Sequence, residues 1–443
     1  VNLVILVHIA LLLGIGTVAL LFSRGAAVLL LLLPASQMLG FVDPMAIAEK
    51  GLFDIHLLIA VVIAGLIAAS VKHVREVREA RFFTPVIVLT LLWIYGVLYP
   101  VTTGASSLFY SLKASKEFLT VLCYFGIMLF VRTERDVRWG WRCLLGLGLY
   151  YSFLEVTAQL LGESLLKQMT FDYRREGHWF WKVYLSFWPV ILITFLHAFF
   201  EVSYSVRRAY FNLILGSLGL LLTFFRSYLL GVAGAIPLIL AFARRGVSAI
   251  MSQFVVLGSI FAAAIVMVAL FSGSGSDKGS LFDRFVTSGL IELHTQKGGA
   301  LEGREAFAKE RRKILRQSPF MGYGFIDKDS KAGMVFRQQV TGDMLGFIDK
   351  GDLDTALKFG YIGQVILYGT FGYLAWILIR LAKQRLQPSL NVRCLALAAT
   401  AIVFLVVQPV HAPLTYSFGL LPFGIALGLI ERQHFLAVSE LTT

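Results

Sequence analysis

Apolar stretches of about 20 residues with almost no charge recur along most of this chain, each long enough to cross the roughly 30 Å of bilayer hydrocarbon as a helix. In lipid the backbone must satisfy its own hydrogen bonds, so a succession of such stretches folds as a helical bundle. Hydropathy predicts helices over 1–22, 26–40, 53–70, 84–101, 112–131, 142–162, 181–201, 209–225, 227–243, 249–271, 360–382, 393–409 and 412–430. The expected fold is therefore an all-α, polytopic transmembrane bundle of about 12–13 helices. The first apolar stretch is followed by many more, so it is expected to stay as a membrane helix and not to be a cleaved leader. Composition agrees: 57% of residues are hydrophobic and 15% charged, with a mean hydropathy of +0.75. Soluble domains carry about 25% charged residues.

The formal charge of +13 raises the question of nucleic acid. The basic residues, however, gather in short loops: Lys72, Arg75, Arg78 and Arg81; Arg132, Arg135, Arg138 and Arg142; Arg207 and Arg208; Arg244 and Arg245; Lys383, Arg385 and Arg393. Such clusters mark cytoplasmic loops, so no nucleic-acid partner is expected. The intervening loops, around Asp43 to Lys50, Pro100 to Ser107, Leu161 to Trp181, Phe225 to Tyr228 and Gln408 to Tyr416, then face the opposite side. Cys123, Cys143 and Cys394 lie in or at the ends of apolar segments, at spacings that suit neither a metal site nor a disulfide framework.

One segment breaks the rhythm of short loops. Residues 272–355 carry acidic and basic residues in near balance, with the Gly/Ser run Ser272 to Ser276 at one end. By the same count they lie on the extracytoplasmic face, and so long a loop in a compact bundle is commonly functional. The chain thus divides into an N-terminal transmembrane bundle (1–271), a long functional loop (272–355) and C-terminal transmembrane helices (356–443). Within the loop, Gly303 to Gln317 reads as a helix, with Glu302 and Glu305 near its start and Arg311, Arg312, Lys313 and Arg316 near its end, as the helix dipole favours.

Several residues are candidates for chemistry. Arg226 interrupts two apolar runs at the outer surface, against the positive-inside trend. It is either a snorkelling or turn-anchoring residue or a guanidinium fork for phosphate oxygens. Arg304, at the start of the loop helix, is either a solvated residue paired with a nearby Glu or a second anion ligand, favoured there by the helix N-terminus. Lys113 and Lys116 either join that cluster or snorkel. Arg174, Arg175, Trp179 and Trp181 belong to an outer loop dense in aromatics, which either stacks on sugars or forms an interfacial aromatic belt. The pairs Asp327/Asp329 and Asp352/Asp354 read either as hard-cation ligands or as surface acids in the loop.

Gly303-Arg304, followed fifteen residues later by Pro319-x-x-Gly322-x-Gly324, resembles the signature of the O-antigen ligase and O-antigen polymerase superfamily. The run from Asp349 through Leu353, Leu357 and Phe359 to Gly363 is similar to that family's loop-to-helix junction, and Arg226-Ser227 to its earlier arginine. The resemblance covers about 226–363. It implies a metal-independent glycosyltransferase without cofactor, in a bacterial inner membrane with its active site on the periplasmic side. Donor and acceptor would be glycans on undecaprenyl diphosphate, with Arg226 and Arg304 on the diphosphate. Ligases of the family carry a histidine base at the junction, where this chain has Asp349, and the resemblance therefore leans to the polymerase; His411 is the alternative base. A chain-length regulator is a partner consistent with that role. Two other classes stand beside it. A flippase or transporter would show repeats, broken helices or midplane ionisable groups, and a non-catalytic export subunit would leave Arg226 without a task.

Overall fold

The structure, a computed structural model, describes residues 14, 18, 20–35, 55–161, 170–175, 178–183, 188–202, 207–223, 226–242, 258, 300–339 and 350–442. These residues are mostly helical. Along the chain run α1 (Ala27–Ala35), α2 (Ile55–Ala68), α3 (Phe83–Thr102), α4 (Leu108–Ser115), α5 (Cys123–Phe130), α6 (Glu134–Leu161), α7 (Trp188–Val202), α8 (Arg207–Leu222) and α9 (Arg226–Phe242). After them come α10 (Ala300–Leu315), α11 (Lys331–Gln339), α12 (Gly351–Lys383), α13 (Pro388–Val407) and α14 (Ser417–Thr442). An antiparallel hairpin, β1 (Thr170–Arg175) and β2 (His178–Val183), stands in the expected outer loop and packs on α6.

Among the described residues three helices, α3, α12 and α13, are long and apolar enough to cross a membrane; α7, α8, α9 and part of α2 are apolar but shorter. Apart from residue 258, the expected helix over 249–271 lies outside the described residues, as does most of the one expected over 1–22. α13 is the hub, packed against α7, α9, α12 and α14. Its apolar window is 78% buried against 39% for α3, which sets α3 at the periphery. Around this hub Leu395, Ala399, Phe404, Leu374, Leu378, Ile236 and Phe423 form one continuous core with most of the other helices.

The expected helix over 112–131 is broken. α4 ends at Ser115, a 3-10 turn covers Phe118–Leu122, and α5 follows. Hydroxyls compete for the backbone there: Ser115 Oγ donates to Leu112 O (3.0 Å) and accepts from Trp93 Nε1 (2.9 Å), while Thr120 Oγ1 donates to Glu117 O (2.7 Å). α6 begins at Glu134, eight residues before the expected start at 142. Thr133 caps that end, its Oγ1 accepting from Asp136 N, while the Asp136 carboxylate reaches back to accept from Thr133 N, Thr133 Oγ1, Ser23 Oγ and Arg24 N. α14 runs past the expected end at 430 to Thr442 because its polar residues are bonded at one end of the bundle.

That end gathers basic loops. Glu431 accepts from Arg81 N (3.0 Å), Phe82 N (2.9 Å) and Tyr124 Oη (3.0 Å), closing the N-terminus of α3 from a distant helix. Glu76 is gripped by Arg132 (2.9 Å) and Arg432 (2.6 Å), and Arg393 donates to Gln433, which in turn donates to Gln387 and Ser389. The loops around 72–82, 132–142 and 383–393 thus share one end of the bundle, and the Gly-rich motif stands at the other.

Candidate functional site

The site is built on a break in α12. At Gly360 the backbone takes φ 67°, ψ 178°, a conformation essentially reserved for glycine, and divides Gly351–Phe359 from the long apolar run that follows. A Cβ here would collide with the carbonyl of Phe320. The break leaves carbonyls at the end of the short segment without helical partners. The Pro319-x-x-Gly322-x-Gly324 loop supplies them: Tyr323 N donates to Leu357 O (2.7 Å) and Gly324 N to Lys358 O (2.8 Å), while Tyr361 N donates to Pro319 O (2.9 Å).

The same loop answers a second orphan. Pro100, inside α3, has no N–H for the carbonyl four residues earlier. Phe325 N donates to Gly96 O at 2.7 Å instead. Gly324 (φ 74°) makes this approach possible, since a Cβ there would run into Pro100 and Gly96 O. Phe325 then packs with Phe118 and Phe359 at centroid distances of 5.9 and 5.5 Å. The motif glycines therefore have a backbone explanation: they dock the loop between α3 and α12.

The short segment of α12 is in turn fixed to the turn after α13. Gln408 Nε2 donates to Gly351 O (2.9 Å) and Thr355 Oγ1 (3.0 Å), and Gln408 Oε1 accepts from Leu414 N (3.1 Å). Asp354, 2% exposed, accepts from Thr415 Oγ1 (2.7 Å), Tyr416 Oη (3.2 Å) and Lys358 Nζ (2.8 Å). Lys358 also sits 4.2 Å from the centre of the Tyr416 ring. Asp354 is therefore not one of the surface acids expected of the loop. Its partners stand 61 and 62 residues later in the chain, where spacing gives no hint of them.

His411 lies in that turn, half-buried, with its ring stacked on Tyr228 at 5.6 Å and its carbonyl against Gly351. Tyr228 is buried in the first turn of α9 and also packs on Trp188, which meets Phe418. Arg226 opens α9 two positions before Tyr228. Asp349 falls outside the described residues, one position before Lys350, the cap of α12. Two of the expected elements, the start of α9 and the loop-to-helix junction, thus meet at His411.

α10 joins them. Ala308 and Leu315 pack on Leu353 and Ala356 of α12. Position 304 is one turn before Ala308, which puts it on the α12-facing side of α10 by helical periodicity. The side chains of Arg226 and Arg304 lie outside the described part of the structure.

Other expected residues stand elsewhere. Lys113 bridges Asp327 (3.2 Å) and Asp329 (3.4 Å), so one Asp-x-Asp pair is closed by a lysine. Burial alone would lower the Lys113 pKa, but bonds and attraction from Asp327 and Asp329 hold it above its ordinary value. Lys116 caps the end of α4. In the hairpin, Arg174 pairs with Trp179 and Asp172 with Trp181, so these four positions share one face, whereas Arg175, opposite His178, falls on the other. Among the described residues no group of three or more His, Cys, Asp or Glu could hold a metal ion.

Comparison of the chain with protein-family models and with curated proteins finds no match.

Proposed function

We propose that the protein is an inverting, metal-independent glycosyltransferase of a bacterial inner membrane that polymerises oligosaccharide repeat units carried on undecaprenyl diphosphate, at the periplasmic face. The observation that carries this reading is the meeting of three elements at one end of the bundle: the first turn of α9 after Arg226, the start of α12 after Asp349, and the His411 turn. α10, with position 304 on its α12-facing side, packs against the same junction.

In this reaction Arg226 and Arg304 hold the diphosphate of the donor. As the bond between the anomeric carbon and the phosphate oxygen breaks, charge grows on the leaving diphosphate, and fixed guanidinium groups stabilise it without reorganising. A hydroxyl of the acceptor glycan attacks the opposite face of that carbon. The new glycosidic bond forms, undecaprenyl diphosphate departs, and the hydroxyl proton passes to the Asp349 carboxylate or the His411 imidazole. The packed rings of Trp188, Tyr228, Tyr416 and Phe418, the first three of them buried, back this point from inside the bundle.

The test is elongation of a lipid-diphosphate repeat unit by the purified protein in lipid vesicles. Arg226→Ala and Arg304→Ala are each expected to reduce elongation by at least 100-fold, the order seen when one preorganised charge-stabilising donor is removed. Full activity in either variant removes that residue from the mechanism. Asp349→Asn and His411→Ala separate the two bases, since loss in one and not the other assigns the role. Unchanged activity in excess chelator is expected, and its loss points back to metal.

A further inference from the structure

We infer that the tip of the Gly-rich loop, Phe320–Met321, is inserted in the hydrocarbon of the bilayer as a short re-entrant wedge. Phe320 is 64% exposed and Met321 44%, an unusual state for two large apolar side chains in a loop whose backbone is otherwise docked. Their neighbours say what covers them. The Tyr95 hydroxyl of α3 donates to Met321 O (2.6 Å), and Tyr361 N of α12 donates to Pro319 O (2.9 Å). Close to these anchors, α3 exposes Leu91, Ile94 and Leu98, and α12 exposes Tyr361, Ile362 and Val365. Both helices are long and apolar enough to cross a membrane, so these side chains face lipid, and the loop tip continues the same surface.

Depth follows from helix rise. α3 spans Phe83–Thr102, and at about 1.5 Å per residue this nearly equals the hydrocarbon thickness. Tyr95 and Gly96, which hold the loop, lie roughly 10 Å before the end of α3 on that scale. On α12, Arg380 stacks on Trp376 at 3.9 Å, the pairing of a cation and an aromatic at an interface. Tyr361 is roughly 22 Å from Trp376 by the same rise, short of a full crossing. Two independent helices thus put the tip below the far surface of the bilayer. Two of its carbonyls, Pro319 O and Met321 O, accept from α12 and α3, the kind of protein partner that irregular structure at membrane depth requires.

This inference does not rest on the transferase reading and fails or stands separately from it. The intact protein is reconstituted in phosphatidylethanolamine and phosphatidylglycerol vesicles, then labelled in separate arms by a diazirine attached to a lipid acyl chain and by a water-soluble diazirine. Sites are read by mass spectrometry of peptides. We expect Phe320 and Met321 to take the lipid label to within about twofold of Val365 and Leu91, and Lys328 to take the aqueous label alone. Aqueous labelling of Phe320 and Met321 without lipid labelling overturns the inference. Protection from both reagents overturns it as well, because a protein surface would then cover the tip.

Discussion

Glu431 shows what a single buried side chain does for this fold. It stands in a helix of apolar character, 1% exposed, and takes three donors from two other segments. Two of those are backbone N–H groups at the start of α3, which have no helical acceptor of their own. Glu431→Ala leaves buried donors unanswered, and a loss of about 3 kcal/mol is expected, seen as a lower melting temperature in detergent. Glu431→Gln keeps an acceptor oxygen and is expected to lose less than half of that. Glu76 gives the pH dependence. Burial would raise its pKa, but attraction and hydrogen bonds from Arg432 and Arg132 outweigh this and hold it below the ordinary carboxylate value. A group lowered in the folded state contributes stability above its unfolded pKa and loses it as pH falls through the folded one. The Glu76 contribution, read as the difference in unfolding midpoint between the wild type and Glu76→Gln, is therefore expected to stay constant from neutrality to about pH 5 and to shrink below the ordinary carboxylate value of 4.5. The sequence shows an acidic residue among basic ones in each case. It does not show that Arg432 is the partner, because the two are 356 positions apart.

At the scale of elements, apolar runs located most of the described helices within a few residues, as with α3, α9 and α13, because an uncharged stretch of spanning length is a local property of the sequence. Breaks were less legible. The interruption between α4 and α5 depends on hydroxyls choosing backbone carbonyls, and the division of α12 depends on Gly360 meeting Phe320 from another segment. The Gly-rich motif was visible as a pattern, but its physical task, capping α12 and replacing the hydrogen bond that Pro100 removes from α3, came from contacts 229 positions apart (325 minus 96). Pro100→Ala tests that account. With an N–H restored at position 100, Gly96 O regains a helical donor, and Phe325 N loses its acceptor. Hydrogen exchange of the Phe325 amide is expected to quicken by at least tenfold, a change of about 1.4 kcal/mol in local opening. Gly360→Ala acts from the other side of the loop and is expected to destabilise by about 2 kcal/mol or more through a disallowed backbone conformation, with earlier proteolysis between 317 and 326. An unchanged cleavage pattern would mean that the loop docks without the break.

For the whole molecule, the two ends of the bundle differ in chemistry, and the difference predicts orientation. One end holds Arg75, Arg78, Arg81, Arg132, Arg135, Arg138, Lys383 and Arg385; there Glu76 joins Arg132 to Arg432, Glu431 takes the Arg81 backbone N–H, and Gln433 takes Arg393. The other holds the Gly-rich loop, the Asp354 network and the His411 turn. Three basic loops that hydropathy counting assigned to the same side do share an end, although their positions in the chain are far apart. Basic residues resist translocation, so the proposed orientation has the Arg-rich end in the cytoplasm and the candidate site on the opposite face. Cysteine mapping separates the two faces. Thr103 and Gln384 are exposed at opposite ends, while Cys123 and Cys394 are buried and are expected not to compete for the reagent. In intact cells a membrane-impermeant maleimide is expected to label Thr103→Cys and spare Gln384→Cys until the membrane is permeabilised, with the wild-type chain setting the contribution of Cys143. The reverse pattern would put the His411 turn in the cytoplasm. A lipid-linked glycan displayed at the periplasmic face would then have no access to it, and the polymerase reading would fail on topology before any activity was measured.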